Sequence, residues 1–326
     1  MNVFITRKIP EPGLDLLRTQ CTIQLNPHDR VLSKEEIIKG VKGKDGLLCL
    51  LTDPIDEDVI YAEPKLKMIA SYAVGYDNID IAAATRRGIP VSNTPGVLTE
   101  TTAELAWALL FSASRRIVEG DVFTRKGEFT GWAPLLMLGQ DVSYKTLGIV
   151  GTGRIGTAFA LKSKGFQMNV LYTDEQRNEL LERELGAKHV SLSTLLKKSD
   201  FVSLHIPLTK TTHHLIDEKE LRMMKKTAVL INTARGPIIN EAALIKALKE
   251  QWIFSAGLDV YEREPKISRE LKKLHNIVLQ PHTGSATLET RTKMALMAAE
   301  NMIIGLSGGI PPNCVNKEVF LKKSIK

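Results

Sequence analysis

Cysteine is scarce: the 326 residues hold Cys21, Cys49 and Cys314, far apart and in no CxxC pair. That spacing argues against a zinc site or a disulfide framework and fits a reducing compartment. No uncharged apolar run reaches the ~18 residues of a transmembrane helix. The opening MNVFITRKIPEPG reads as a strand and a turn and lacks the apolar stretch of a signal peptide. A cytoplasmic protein with no membrane partner is expected. Low-complexity tracts and repeats of fixed period are also missing. The histidines form no set with ligand spacing: His213-His214 sits in a polar run and His189 has no evident partner, so both read as structural or surface residues and no metal is expected.

The formal net charge is +7, but the lysines come as scattered doublets, Lys197-Lys198, Lys225-Lys226 and Lys322-Lys323. Nucleic-acid binders gather charge on one stripe or helix, so no nucleic-acid partner is expected. The excess would draw anionic substrates and cofactors inward. A hydrophobic share of 43% is that of an ordinary globular chain, and 326 residues exceed what one core comfortably serves. Two domains follow.

Short apolar segments alternate with helical patterns from the start: Asn2–Thr6, a helix from Glu11, Gly46–Leu51, a helix from Asp56, Lys67–Ser71, then Val91–Pro95. Such alternation predicts a parallel sheet covered by helices. One helix is predicted from near Thr101 to Gly120. The irregular stretch after it carries Trp132 and Leu135-Leu136-Met137-Leu138, apolar residues that either cover the body of the protein or meet a second subunit. A second series opens at Thr146 and offers six strands, TLGIV, NVLYT, FVSLHIP, AVLIN, SAGLDV and NIVLQP, enough for a complete doubly wound sheet. Ala286–Leu306 then reads as one long helix stopped by Gly308-Gly309 and Pro311-Pro312.

Gly151-Thr152-Gly153-Arg154-Ile155-Gly156 directly follows the strand Thr146–Val150 and opens a helix. Glycines there permit a tight turn and close approach of backbone to a pyrophosphate seated on the helix N-terminus. The next strand ends at Asp174, about 20 residues on, where an acid meets a ribose 2′-hydroxyl. A carboxylate repels the extra phosphate of NADP, so NAD is the expected cofactor, with Arg177 nearby as the feature that points the other way. The bland alternative makes Asp174 a helix cap.

Three late strands lead to residues fit for hydride-transfer chemistry: AVLIN to Arg235, SAGLDV to Glu264, NIVLQP to His282. Ligands of an open parallel sheet bind outside the carboxyl ends of its strands. Reducing a 2-oxo acid needs a proton for the carbonyl oxygen, which histidine supplies near neutral pH. A carboxylate beside it favours the imidazolium, the role expected of Glu264. A guanidinium grips an anionic substrate as a planar fork, the role expected of Arg235. Taken singly, each has an ordinary reading as a loop or surface residue; their common place after successive strands favours function.

The stretches YAVGYDNIDIAAATRRGIPVSNTPGVLTETTAELAWALL, LGIVGTGRIGTAFA, INTARGPIINEAAL, AGLDVYEREP and LQPHTGSAT resemble the D-isomer-specific 2-hydroxyacid dehydrogenases across nearly the whole chain, and the glyoxylate/hydroxypyruvate reductase branch most. The resemblance implies an α/β protein of two doubly wound parallel-sheet domains, with a Rossmann cofactor domain (101–285) inserted into a flavodoxin-like substrate domain (1–100 and 286–326). It implies catalysis by Arg235, Glu264 and His282, and substrate binding by Arg235 and the backbone amides of Val74 and Gly75. The cofactor contacts expected are Thr99, Gly151, Gly153, Arg154, Ile155, Gly156, Asp174, Pro207, Thr233, Ala234, Asp259 and Gly284, with Asp259 on the nicotinamide carboxamide. A homodimer is implied as well.

Two departures stand out. Thr173-Asp174-Glu175 replaces an Arg-containing loop common in the reductase branch, so the NADP preference of that branch is not expected here. Asn240, where the family often has Asp, is expected to be a helix N-cap. The expected reaction is NADH-dependent reduction of glyoxylate or hydroxypyruvate to the D-2-hydroxy acid. A 3-phosphoglycerate or D-lactate-type dehydrogenase is the enzymatic alternative, although Ser71 stands where the former branch often has a basic residue. An NAD-sensing interaction protein, like the corepressors that resemble this family, is the alternative of another class.

Overall fold

The computed structural model describes residues 1–321, so the Lys322-Lys323 doublet lies outside the described residues. The chain forms two units, one from Thr99 to Gly284 and the other from the segments on either side of it. In the outer unit β1 (Asn2–Ile5), β2 (Thr22–Leu25), β3 (Gly46–Cys49), β4 (Met68–Ser71) and β5 (Val91–Ser92) make a parallel sheet ordered β2-β1-β3-β4-β5. This is the flavodoxin-like order. Strands β3 and β4 are buried throughout, as parallel strands covered on both faces must be. Edge strand β2, with its alternating exposure, has too weak an apolar pattern to be read from sequence.

Helices α1 (Glu11–Arg18), α2 (Lys34–Val41), α3 (Glu57–Tyr61) and α4 (Ile81–Arg86) alternate with these strands. The chain returns after residue 284 as α13 (Leu288–Leu306), which packs on α1 and β4, and ends in α14 (Glu318–Leu321). The approach of α1 to α13 is close: a Cβ on Gly13 would lie 2.6 Å from that of Ala295. Helix α13 starts two residues later than its apolar pattern, because the Thr287 hydroxyl caps it by accepting the Thr290 amide at 3.2 Å.

The inner unit begins with α5 (Thr99–Ser114) and α6 (Ile117–Arg125). One continuous helix was expected here, and the structure breaks it at Arg116, which is left-handed at φ 54°. The Ser114 carbonyl accepts the Gln140 amide at 2.9 Å, a bond that turns this acceptor to the returning loop instead of a next helical turn. Then β6 (Thr146–Val150), α7 (Arg154–Lys162), β7 (Asn169–Thr173), α8 (Glu179–Leu185), β8 (Lys188–His189), α9 (Leu192–Lys198), β9 (Phe201–Leu204), α10 (Glu218–Met223), β10 (Val229–Asn232), α11 (Glu241–Lys249), β11 (Ser255–Leu258), α12 (Arg269–Lys272) and β12 (Ile277–Leu279) follow.

The inner sheet is parallel, ordered β12-β11-β10-β9-β6-β7-β8. Chain order reverses between β6 and β9, the point at which doubly wound sheets bind dinucleotides. The six expected strands are present, and β8 is a seventh; its two exposed polar residues carry no strand signal. Helix α5 covers β10, β11 and β12, and Trp107 on it stacks on Phe159 of α7. Among the described residues no helix is long and apolar enough to cross a membrane, and no group of His, Cys, Asp and Glu could hold a metal ion.

Candidate active site

The glycine turn leaves β6 at the switch point. Gly151 has φ 91°, and a Cβ there would meet the His205 carbonyl oxygen at 2.8 Å; one on Gly156 would meet the Gly151 carbonyl at 2.0 Å. Only glycine lets backbone pass backbone this closely. Gly153, the N-cap of α7, faces open space instead. Arg154 and Ile155 form the first turn of α7, whose amides point at the same place. At the end of β10, Thr233 precedes Ala234, and its hydroxyl is buried without a hydrogen-bond partner among the described residues. An open glycine cradle, a free helix start and an orphaned buried hydroxyl fit a bound dinucleotide.

Asp174 lies just beyond β7 and caps nothing: α8 is capped by Asn178. Its Oδ2 accepts the Thr152 amide at 2.6 Å and the Thr152 hydroxyl at 2.9 Å, and its Oδ1 accepts the Glu175 amide at 2.7 Å. Burial disfavours the charge, yet these donors together hold the carboxyl below its ordinary value. Arg177 turns away and grips Glu182 through two bonds of 3.0 and 2.8 Å. His189 does have partners: its Nε2 lies 3.0 Å from the Asp174 carbonyl and its ring stacks on Tyr172.

Strands β10, β11 and β12 are adjacent and in parallel register, so the chain leaves all three on one edge. Arg235 follows β10 in extended conformation, and its Nη1 donates to the Ala234 carbonyl at 2.8 Å. The next residue must be glycine, since a Cβ on Gly236 would lie 1.9 Å from the Tyr261 carbonyl carbon and oxygen. Beyond β11, Glu264 accepts the Tyr261 amide on Oε1 at 2.9 Å. Its Oε2 accepts His282 Nδ1 at 2.8 Å, which leaves Nε2 of that ring for another partner.

His282 is held at φ 56°, a conformation that costs a side-chain-bearing residue about 1–3 kcal/mol. Buried Asp259 at the end of β11 fastens the residues that follow, accepting the Thr283 amide at 2.7 Å and the Gly284 amide at 2.8 Å. Burial raises the Asp259 carboxyl despite those amides. For Glu264 burial also opposes ionisation, but the His282 bond and charge, the Tyr261 amide and the Arg235 charge outweigh it and hold the carboxyl below 4.5. Stability from that lowered value is present above the ordinary carboxylate range and is lost as pH falls through the lowered one.

Of the other expected residues, Thr99 opens α5 and Pro207 lies in the loop after β9, where its carbonyl accepts the Thr212 hydroxyl at 2.7 Å. In the outer unit Val74 and Gly75 follow β4, and the Val74 carbonyl accepts Asn93 Nδ2 at 2.7 Å. Asn240 caps α11 as expected, accepting the Ala243 amide at 3.2 Å. Sequence reasoning passed over His205, which backs the glycine turn with its ring 2.9 Å from the Ser203 hydroxyl. Burial pushes its imidazole down to about 3, so it stays neutral at working pH. Its signal was a histidine ending the apolar strand FVSL, at the edge that carries the other candidates.

A nucleotide cradle at the switch point, with a carboxylate-bonded imidazole on the same carboxyl edge, defines a dinucleotide-dependent oxidoreductase. The chain belongs to the D-isomer specific 2-hydroxyacid dehydrogenases, whose NAD binding domain matches residues 107–284. It is 55% identical over 319 residues to a glyoxylate reductase of Korarchaeum cryptofilum, covering 97% of this chain and 96% of the relative. A glyoxylate reductase from Paecilomyes thermophila of known structure is 33% identical, with a TM-score of 0.87 over 98% of this chain and 99% of that one. The NADPH-dependent glyoxylate/hydroxypyruvate reductase of Sinorhizobium meliloti, solved with NADP and malonate, is 28% identical with a TM-score of 0.85 over 96% of each chain.

Removing the Glu264 charge leaves the His282 Nδ1 bond with a neutral acceptor. Glu264→Gln is expected to lower kcat/KM for 2-oxo acid reduction about tenfold. An unchanged kcat/KM, measured by NADH oxidation, would remove Glu264 from the candidate site.

Proposed function

We propose that this enzyme reduces glyoxylate or hydroxypyruvate to the D-2-hydroxy acid with NADH, and that Arg235, Glu264 and His282 carry the reaction. The observation that carries the reading is the 2.8 Å His282–Glu264 pair on the sheet edge that also bears Arg235. The names of the curated relatives supply the substrate class. Bound NADH supplies the hydride for the carbonyl carbon. His282 donates its Nε2 proton to the carbonyl oxygen, and Glu264 stabilises the imidazolium that must be regenerated. Arg235 holds the substrate carboxylate and polarises the carbonyl. Val74 and Gly75 are assigned to substrate binding through their amides. Asp259 receives the nicotinamide carboxamide besides shaping the His282 loop; Thr99, Pro207, Thr233, Ala234 and Gly284 line the cofactor.

Preference for NADH over NADPH is read from Asp174, an anion placed for a ribose diol, and from Arg177, which is committed to Glu182. The Sinorhizobium reductase differs by its NADPH dependence. The test assays purified protein with glyoxylate, hydroxypyruvate, its 3-phospho ester and pyruvate, each with NADH and NADPH. Fastest turnover of glyoxylate or hydroxypyruvate with NADH is expected. Preference for the phospho ester or for NADPH would overturn the respective part, and NAD-dependent partner binding without turnover would overturn the whole.

The working form is proposed to be a homodimer in the cytoplasm, where three free cysteines stay reduced. Much of the apolar stretch after α6 is left uncovered: Trp132 is 85% and Leu135 79% exposed, and Val118 and Val122 of α6 and Phe129 are exposed as well. Exposed apolar residues gathered in one stretch of chain are what an interface would cover. Light scattering is expected to give a dimer for the parent and a monomer-shifted distribution for Leu135→Asp; a monomeric parent contradicts it.

A further inference from the structure

The acid that reads the cofactor is itself held from the glycine turn. We propose that Thr152 is a positioning residue that sets cofactor preference, locking the Asp174 carboxylate in the pose that receives a ribose diol and rejects a 2′-phosphate. The inference rests on the reading of Asp174 given above and deepens it.

Thr152 stands between the first two glycines of the turn and is 9% exposed. Its amide and its hydroxyl both reach Asp174 Oδ2, so one residue supplies two donors to one oxygen. Its own carbonyl is fastened from the other side by the Thr157 hydroxyl at 2.8 Å and Asn178 Nδ2 at 3.1 Å. Asn178 Nδ2 also reaches Thr157 at 2.9 Å, and the Asn178 amide donates to the Tyr172 hydroxyl at 2.9 Å. With the carbonyl pinned behind, the amide and side chain of Thr152 face Asp174.

Asp174 is fixed equally well at its backbone. The register of β6 with β7 pairs Val150 with Thr173, and the Gly151 amide donates to the Thr173 carbonyl at 2.9 Å. His189, stacked on Tyr172, donates to the Asp174 carbonyl at 3.0 Å. The carboxylate torsion is held by the Thr152 and Glu175 amides and by the Thr152 hydroxyl, the one side-chain donor of the three. A β-branched side chain suits the task, because its χ1 is stiff and the hydroxyl costs little further entropy to hold. Donors to a carboxylate also keep it ionised, and an ionised acid is what repels a phosphate.

Thr152→Val keeps the shape and deletes the donor, Thr152→Ala deletes it without β-branching, and Thr152→Ser retains it. Fluorescence titration of each protein with NADH and NADPH gives both dissociation constants without turnover. Loss of one charge-assisted hydrogen bond predicts NADH binding about tenfold weaker in Thr152→Val and Thr152→Ala, with NADPH bound no more weakly than by the parent. Thr152→Ser stays within about twofold for both cofactors. The NADH preference of Thr152→Val also fades at a higher pH than the parent's as acid is added. A Thr152→Val ratio within about twofold of the parent's, or a Thr152→Ser as impaired as Thr152→Val, overturns the inference. Asp174→Ala separates the two levels: if it too keeps the parental ratio, the reading of Asp174 falls; if it alone loses the ratio, only the role of Thr152 falls.

Discussion

The parallel ladder of β10, β11 and β12 is the constraint on which the catalytic reading depends. Backbone hydrogen bonds set Asn232 beside Leu258 and Leu258 beside Leu279, so three distant parts of the chain leave the sheet side by side. Parallel neighbours lie about 4.8 Å apart, and that spacing lets short loops bring a guanidinium, a carboxylate and an imidazole together. The loops then do fine adjustment. Gly236 allows the Arg235 loop to pass against Tyr261, and the Tyr261 hydroxyl donates to the Gln280 carbonyl at 2.8 Å, tying the β11 and β12 exits together. A sheet with one of these strands reversed would scatter the three groups to opposite ends.

Two carboxylates near this edge meet burial with opposite results. Glu264 faces an imidazole and a guanidinium and is held ionised; Asp259 meets mainly backbone amides and rises. Opposed environments for neighbouring titratable groups separate their tasks. Glu264 answers the His282 ring, which it meets at Nδ1. Asp259 answers geometry, because the amides of Thr283 and Gly284 must be held if His282 is to stay left-handed. His205 is a third case, a buried neutral ring whose place behind Gly151 makes it packing for the glycine turn.

Much of this was legible in the sequence because strong local signals coincided with strong tertiary ones. Strand β6, the glycine turn and the start of α7 read directly from TLGIVGTGRIG, and Arg235, Glu264 and His282 stood out as polar residues following apolar strands. The pairing of His282 with Glu264 was expected from their chemistry and shared sheet edge; the structure adds which atoms meet, Nδ1 and Oε2 at 2.8 Å. Strands β2 and β8 escaped because edge strands bury little, and polarity hid the pairing of His189. The break at Arg116 was set by the Gln140 amide reaching back to Ser114, a contact across 26 residues that no helical periodicity records. Thr152 carries no signal of its own between the glycines, because its partner Asp174 lies one strand away.

The central claim is that Glu264 acts through His282 as one proton-supplying unit. A double-mutant cycle on kcat/KM for hydroxypyruvate, with Glu264→Gln, His282→Asn and the pair, measures it directly. If the two act as a unit, the double variant matches His282→Asn to within about twofold, because nothing remains for the carboxylate to support. Two costs that multiply would show independent action and contradict the account.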